Sequence, residues 1–275
     1  MAWPHRALVA FNDSHVIFTR QSPTILIRLQ DQTHVAGLPI LSTVEDHPMS
    51  NDNYGQFCPV AKACEVLEPR WTLLILCEMW SGSTRFNEIR RGVPGMSPTL
   101  LSKRLKEMEA HSLIHRSENR AGGDITYTTT AIAADLEPIV YALGKWAHRN
   151  IDVEVTLEHL DARLLMWNIR RKIKTDNWSD KRRTVVQFTY PELPSSDQSY
   201  WVIAKPGAPV DLCLMDPGHD VDLYVSADLK AMTSAWIGLS SFESEIALNR
   251  ISLIGDKSLA ATLKQWLGRS SFAAE

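Results

Sequence analysis

A serine followed by a proline, Ser97-Pro98, marks the start of the helix that most constrains this chain. Serine at an N-cap offers its hydroxyl oxygen to an unsatisfied backbone N–H, and proline at the first helical position has no N–H to leave unsatisfied. From there Leu101, Leu105 and Met108 recur at spacings of four and three, which makes one apolar stripe. Thr99, Ser102, Lys103 and Lys106 fall on a different side, cationic and rich in short donors. Upstream, residues 85–89 read as a short helix with Phe86 and Ile89 one turn apart and facing inward, ended by the Gly-Val-Pro-Gly turn of residues 92–95. Two helices at that separation form a helix-turn-helix. Downstream, residues 113–116 read as a strand, 121–124 as a hairpin turn and 125–128 as the returning, β-branched strand. A helix-turn-helix followed by a hairpin is a winged helix.

The basic flank is suited to a nucleic-acid groove. Lysine reaches phosphate or guanine, while threonine and serine reach backbone or base edges. The plainer alternative is an amphipathic helix whose basic face is merely solvated. Charge favours the first reading. The whole chain carries a formal net charge of −3, yet residues 85–120 hold eight Lys/Arg (85, 90, 91, 103, 104, 106, 116, 120) against four acids (88, 107, 109, 118). A basic patch in an acidic chain concentrates phosphate attraction and predicts binding to double-stranded DNA that weakens with salt. The expected DNA-contacting set is Ser97, Thr99, Ser102, Lys103 and Lys106 on the helix, with Arg116, Asn119 and Arg120 near the hairpin tip.

These segments resemble the HxlR-type winged-helix transcriptional regulators. The resemblance is carried by Cys58-Pro59-Val60, the run Arg70-Trp71-Thr72-Leu73-Leu74-Ile75-Leu76, Arg85-Phe86-Asn87-Glu88-Ile89, Gly95-Met96-Ser97, and residues 100–109. It implies a homodimer, major-groove contact by the helix after Ser97, and control of nearby genes. The wing departs from the family pattern: it contains Gly122-Gly123 and no proline, so the roles of Arg116 and Arg120 are less firmly implied than those of the two lysines. Residues 131–150 read as one long helix with Leu136, Ile139, Val140, Leu143 and Trp146 on a stripe. In the family, helices here and near Cys58 bury against a twin subunit, and a dimer reads two half-sites about one helical turn apart. The intramolecular alternative is that the stripe packs on its own domain.

The four cysteines (58, 64, 77, 213) include no Cys-x-x-Cys pair and fit no zinc site, so no metal is expected. Cys64 and Cys77 lie in apolar helical patterns and read as buried core residues. Cys58 just precedes a helix, whose positive dipole end lowers thiol pKa. It reads as an N-terminal packing residue. The resemblance also makes it a redox-sensing candidate, since several relatives sense oxidants with a cysteine here.

The pattern changes near Asp152. A helix over 164–172 is followed by strands over 184–190, 200–204, 210–215 and 221–225, a helix over 228–238, a strand over 250–256 and a closing helix over 259–267. This order resembles the sterol carrier protein type 2 fold, through Val221-Asp222-Leu223-Tyr224-Val225, the helix opening at Asp228-Leu229, and the strand Ile251-Ser252-Leu253-Ile254 before the final helix. The resemblance implies a cavity for a small hydrophobic effector. Of five tryptophans in this half, most read as core; Trp201 and Trp236 are the ligand-pocket candidates. The basic runs 170–174 and 181–183 read as solvated faces beside Trp178, with Asp176 and Asp180 interleaved; added phosphate contacts are the alternative.

The expected fold class is therefore α+β: an N-terminal winged helix-turn-helix followed by a C-terminal α+β domain with a mixed sheet covered by helices. The expected divisions are 1–48, a disordered leader or an artefact of start-site choice, since Met49 is a plausible start; 49–150, DNA binding and dimerisation; and 151–275, ligand binding. No secretory pattern or membrane span appears, so a cytoplasmic protein is expected. There is no His-Glu-x-x-His, phosphate-binding glycine loop or Gly-x-Ser-x-Gly, and no catalytic site or cofactor is expected. The reading is a homodimeric, ligand-responsive one-component regulator. The alternative is a lipid-like ligand carrier or accessory protein whose winged helix mediates protein contacts.

Overall fold

Helix α1 (Pro59–Leu67) is followed by α2 (Thr72–Trp80), α3 (Phe86–Gly92) and α4 (Pro98–Ala110), then by the antiparallel hairpin of β1 (Ile114–Glu118) and β2 (Ile125–Thr129). The computed structural model describes residues 53–118, 123–176, 178 and 182–273. All the elements belong to one compact unit, Val44–Glu275; residues 1–48 lie outside the described residues. The apolar run of α2 sends Ile75, Leu76 and Met79 into a core with Ile89 of α3 and Leu101, Leu105 and Met108 of α4. Burying the three α4 side chains contributes roughly 5–9 kcal/mol, at about 1.5–3 kcal/mol each. The Tyr127 N–H donates to the Thr84 carbonyl at 2.7 Å and ties the hairpin to the turn before α3.

Residues 131–150 do not form one helix. They form α5 (Ala131–Ala134) and α6 (Glu137–Asn150). Pro138 is the cause: it has no N–H and its ring would clash with the preceding turn, so the chain breaks and restarts with Pro138 in the first turn of α6. After α7 (Val153–Thr156), Asp161 caps α8 (Ala162–Lys172), its carboxylate accepting from the Leu164 N–H at 3.0 Å.

The second core is built on β3 (Thr184–Thr189), β4 (Ser199–Ala204), β5 (Asp211–Cys213), β6 (Leu223–Ala227), α9 (Leu229–Ile237), α10 (Phe242–Ala247), β7 (Ile251–Gly255), α11 (Lys257–Ala261) and α12 (Leu263–Leu267). The sheet order is β5-β4-β3-β6-β7. Only β3 and β6 pair in parallel, Val186 opposite Leu223; the other neighbours are antiparallel. Strand alternation sends Val186, Phe188, Tyr200, Val202, Leu223 and Val225 to one face, under the apolar sides of α8, α9 and α12. Val185, Trp201 and Ile203 gather on the opposite face.

Three expectations shift here. The strand expected over 210–215 is a three-residue edge strand, and the next begins at Leu223 rather than Val221. The closing helix is split at Thr262: the Leu259 carbonyl, which an unbroken helix would give to the Leu263 N–H, accepts from the Trp266 indole at 2.8 Å. Among the described residues, no helix is long and apolar enough to cross a membrane.

Candidate functional site

The Ser97 hydroxyl accepts from the Leu100 N–H at 3.2 Å, so the expected cap forms and fixes where α4 begins. With Leu101, Leu105 and Met108 buried, Thr99, Ser102, Lys103 and Lys106 are all exposed. Together with Pro98 and Glu107 they line one shallow concavity. The Lys103 side chain is 71% exposed, and its ammonium lies 3.8 Å from Glu107, a weak i,i+4 pair. Lys106 makes no ion pair among the described residues. Arg104 differs: it is largely buried and held by Glu107 at 2.5 Å, which takes it off the basic face.

On the hairpin, Arg116 is paired with Glu118 at 3.2 Å. Arg85, before α3, reaches Asp124 at 3.4 Å, so the wing folds back toward the helix-turn-helix. Asn119 and Arg120 lie outside the described residues, as do Ala121 and Gly122 of the expected turn.

Cys58 occupies the N-cap of α1 and is half-buried. The backbone N–H groups of Ala61 and Val60 hold its thiol below the ordinary cysteine range, although no side-chain hydrogen bond closes the cap. Cys64 and Cys77, expected in the core, are half-buried. Burial pushes the Cys77 thiol up. Helix α6 buries none of its residues; Ile139, Leu143 and Trp146 are each more than half exposed, and Phe57 before α1 and Val60 in its first turn are exposed too.

Residues 66–155 match the HxlR-like helix-turn-helix family. An uncharacterized HTH-type transcriptional regulator of Bacillus subtilis (strain 168), YvaP, is 36% identical over 102 residues, which are 36% of this chain and 94% of YvaP. A second from the same organism, YybR, is 33% identical over 97 residues, covering 35% of this chain and 78% of YybR. The chain belongs to the HxlR-like helix-turn-helix family. Among solved structures, the redox regulator HypR in its oxidized form is 33% identical, with a TM-score of 0.33, covering 35% of this chain and all of HypR.

The HxlR-like match stops before α8, and α8 is where the two cores meet. Glu78, on α2 inside the HxlR-like region, is 5% exposed. Its carboxylate accepts from the Ser83 hydroxyl at 2.6 Å, the Trp167 indole N–H at 2.8 Å and both terminal nitrogens of Arg171, one of them at 3.0 Å. The Trp167 ring is in turn faced by Arg170 at 4.0 Å, Arg171 at 4.8 Å and Arg91 of α3 at 5.1 Å from its centroid. This overturns the solvated-face reading for Arg170 and Arg171, whereas Lys172 and Lys174 of the same run are exposed as expected. Arg171 is largely buried and spent on Glu78, Arg170 stacks on Trp167, and burial lowers the Arg170 pKa. In the second basic run, Arg182 is exposed and paired with Asp222 at 2.7 Å; Lys181 lies outside the described residues. Gly92 is required at the junction, since a Cβ there would lie 1.9 Å from a Glu78 carboxylate oxygen.

Next to this junction lies a half-open cleft of about 730 Å³ between α2 and α6 on one side and α8 and α9 on the other. Trp236 lines it; Trp201 sits on the far face of the sheet with Val185 and Ile203. The C-terminal segment closes one end. The Tyr141 hydroxyl donates to the Ser271 carbonyl at 2.6 Å, and Phe272 stacks on Tyr141 with centroids 5.2 Å apart. Neither Glu78 nor Trp167 was singled out from the sequence as a site residue. The available signal was a lone carboxylate in the apolar run of α2, which a buried helix tolerates only with a partner.

Proposed function

We propose that the chain is a DNA-binding transcriptional regulator, working as a homodimer, whose α4 enters the major groove. The carrying observation is the separation on α4: three apolar side chains buried in the helix-turn-helix core, and Thr99, Ser102, Lys103 and Lys106 exposed together on the opposite flank. Ser97 sets the helix start at that flank, and Arg116, with Asn119 and Arg120, extends the contact toward the adjacent backbone. Family membership and the names of YvaP and YybR support the reading. The exposed apolar stripe of α6 supports dimerisation, as do the exposed Phe57 and Val60 at the start of α1, since clustered exposed apolar side chains suit an interface. Cys58, with its lowered thiol pKa at a helix N-terminus, is proposed as the redox-responsive position.

The C-terminal half, residues 151–275, is proposed as a sterol-carrier-like domain that binds a small hydrophobic effector. Its five-stranded sheet with helices on one face supports this, as does the separate core beneath them. Fluorescence anisotropy of the full chain with DNA from upstream of its own coding region, between 50 and 200 mM salt, is the test. Saturable binding that weakens with salt is expected. Absence of binding at the lowest salt would reject the regulator reading and favour a ligand carrier.

A further inference from the structure

The cleft between the two cores has a chemistry of its own. Its walls are apolar on both sides: Leu74 and Val140 from the helix-turn-helix half, Leu160, Leu164 and Ile237 from the sheet half. Three of its polar side chains are carboxylates, and two of these are committed. Glu78 is saturated by Arg171, Trp167 and Ser83, and Asp161 caps α8. The third, Glu137, is exposed in the first turn of α6, where the helix dipole suits an anion.

The unspent capacity is on the donor side. The Lys172 ammonium reaches the Ser271 hydroxyl at 3.0 Å and forms no ion pair among the described residues. Trp80 also lines the cleft, and its indole nitrogen is buried without an acceptor among the described residues. A buried donor with nothing to bond is costly, so this nitrogen is a place where an added acceptor would be favourable. A cavity of this volume is in the range that encloses one small organic molecule.

We propose that this cleft binds an amphipathic monocarboxylate, its apolar body between the two walls and its carboxylate on Lys172. This deepens, and rests on, the reading of the chain as a ligand-responsive regulator, and it moves the effector from inside the C-terminal half to the junction. The location supplies the coupling. One wall is α2, which carries the helix-turn-helix core, together with α6, which carries the exposed stripe; the other is α8 and α9. A ligand touching both walls favours the arrangement in which they stand at its own width, and DNA affinity changes by that preference.

The test uses decanoate, with decanol as its uncharged counterpart, titrated calorimetrically into the full chain. Decanoate should bind at least ten-fold tighter than decanol. Lys172→Met should erase that difference by weakening decanoate binding. Leu160→Trp, which fills the cleft, should abolish binding of both, with an unchanged circular dichroism spectrum showing that the variant folds. No decanoate binding at millimolar concentration, equal affinity for the two probes, or an unaltered preference in Lys172→Met would each overturn the site. DNA affinity is measured separately on the upstream fragment. If decanoate binds with the expected Lys172 dependence and the chain binds DNA, but decanoate leaves that affinity unchanged, the site stands and its regulatory role falls.

Discussion

Replacing Arg171 by Met keeps most of the side chain's bulk and removes its charge. The Glu78 carboxylate, 5% exposed, would then retain only the Ser83 hydroxyl and the Trp167 indole, while the two guanidinium hydrogen bonds are lost. Removing one partner of a buried ion pair leaves an uncompensated charge and costs about 3–5 kcal/mol. Against a total folding stability of about 5–15 kcal/mol that is a large fraction. For a chain of this size it corresponds to a fall in Tm of roughly 6–20 °C. Glu78→Gln should also destabilise, because it strands Arg171, which is 10% exposed. The double variant Glu78→Gln with Arg171→Met contains no stranded charge, so it should cost clearly less than the two single costs added. Urea unfolding, followed by both tryptophan emission and far-UV circular dichroism, measures all four corners of the cycle. Trp167 touches Glu78, so the junction contributes one of the nine tryptophans that the emission probe reads. An Arg171→Met cost below about 1 kcal/mol, or strictly additive single costs, would refute the view that this pair is desolvated and holds the two cores together.

Other expectations follow from single contacts. Lys103→Ala with Lys106→Ala should weaken binding to all DNA sequences and lower the salt slope by up to about 1.8 per protomer, at ~0.9 per phosphate; an unchanged slope places this face of α4 off the duplex. Gly92→Ala drives a Cβ into the Glu78 carboxylate and should cost about 1–3 kcal/mol in urea unfolding; a neutral result would mean Glu78 does not occupy that space. Cys58 should be alkylated by iodoacetamide faster than Cys77 at every pH below full ionisation, since its thiol pKa is lowered and that of Cys77 is raised; peptide mass spectrometry reads the order, and the reverse order refutes the assignment. Leu143→Glu with Trp146→Glu should convert a dimer to a monomer by sedimentation while leaving the helical circular dichroism intact, because both side chains are already half exposed.

The legibility of the chain follows the range of the interactions involved. Helix α4 was readable because its cap and its stripe lie within a dozen residues, and the hydroxyl of Ser97 and the burial of Leu101, Leu105 and Met108 are local consequences. The wing strands were readable for the same reason. The break before α6 was written in Pro138 but was outweighed by the periodicity on either side of it. Cys77 was read as core because its neighbours are apolar, yet it borders the cleft, which no local pattern reveals. Arg170 and Arg171 looked solvated because Asp176 is nearby in sequence, whereas the carboxylate that binds Arg171 is 93 residues away.

That distant pair also supplies the mechanical link that the proposed ligand control of DNA binding needs. Helix α2 is one and the same rigid body for three purposes: Ile75, Leu76 and Met79 hold α3 and α4, Glu78 grips α8, and Leu74 and Cys77 face the cleft. A shift of α8 relative to α2 cannot be absorbed locally, because Gly92 leaves no slack beside Glu78 and the Trp167 ring is clamped among Arg91, Arg170 and Arg171. Close-packed junctions of this kind pass displacements on rather than damping them. A molecule that altered the spacing of the cleft walls would therefore act on the support of α4, the helix proposed to present its lysines to the duplex.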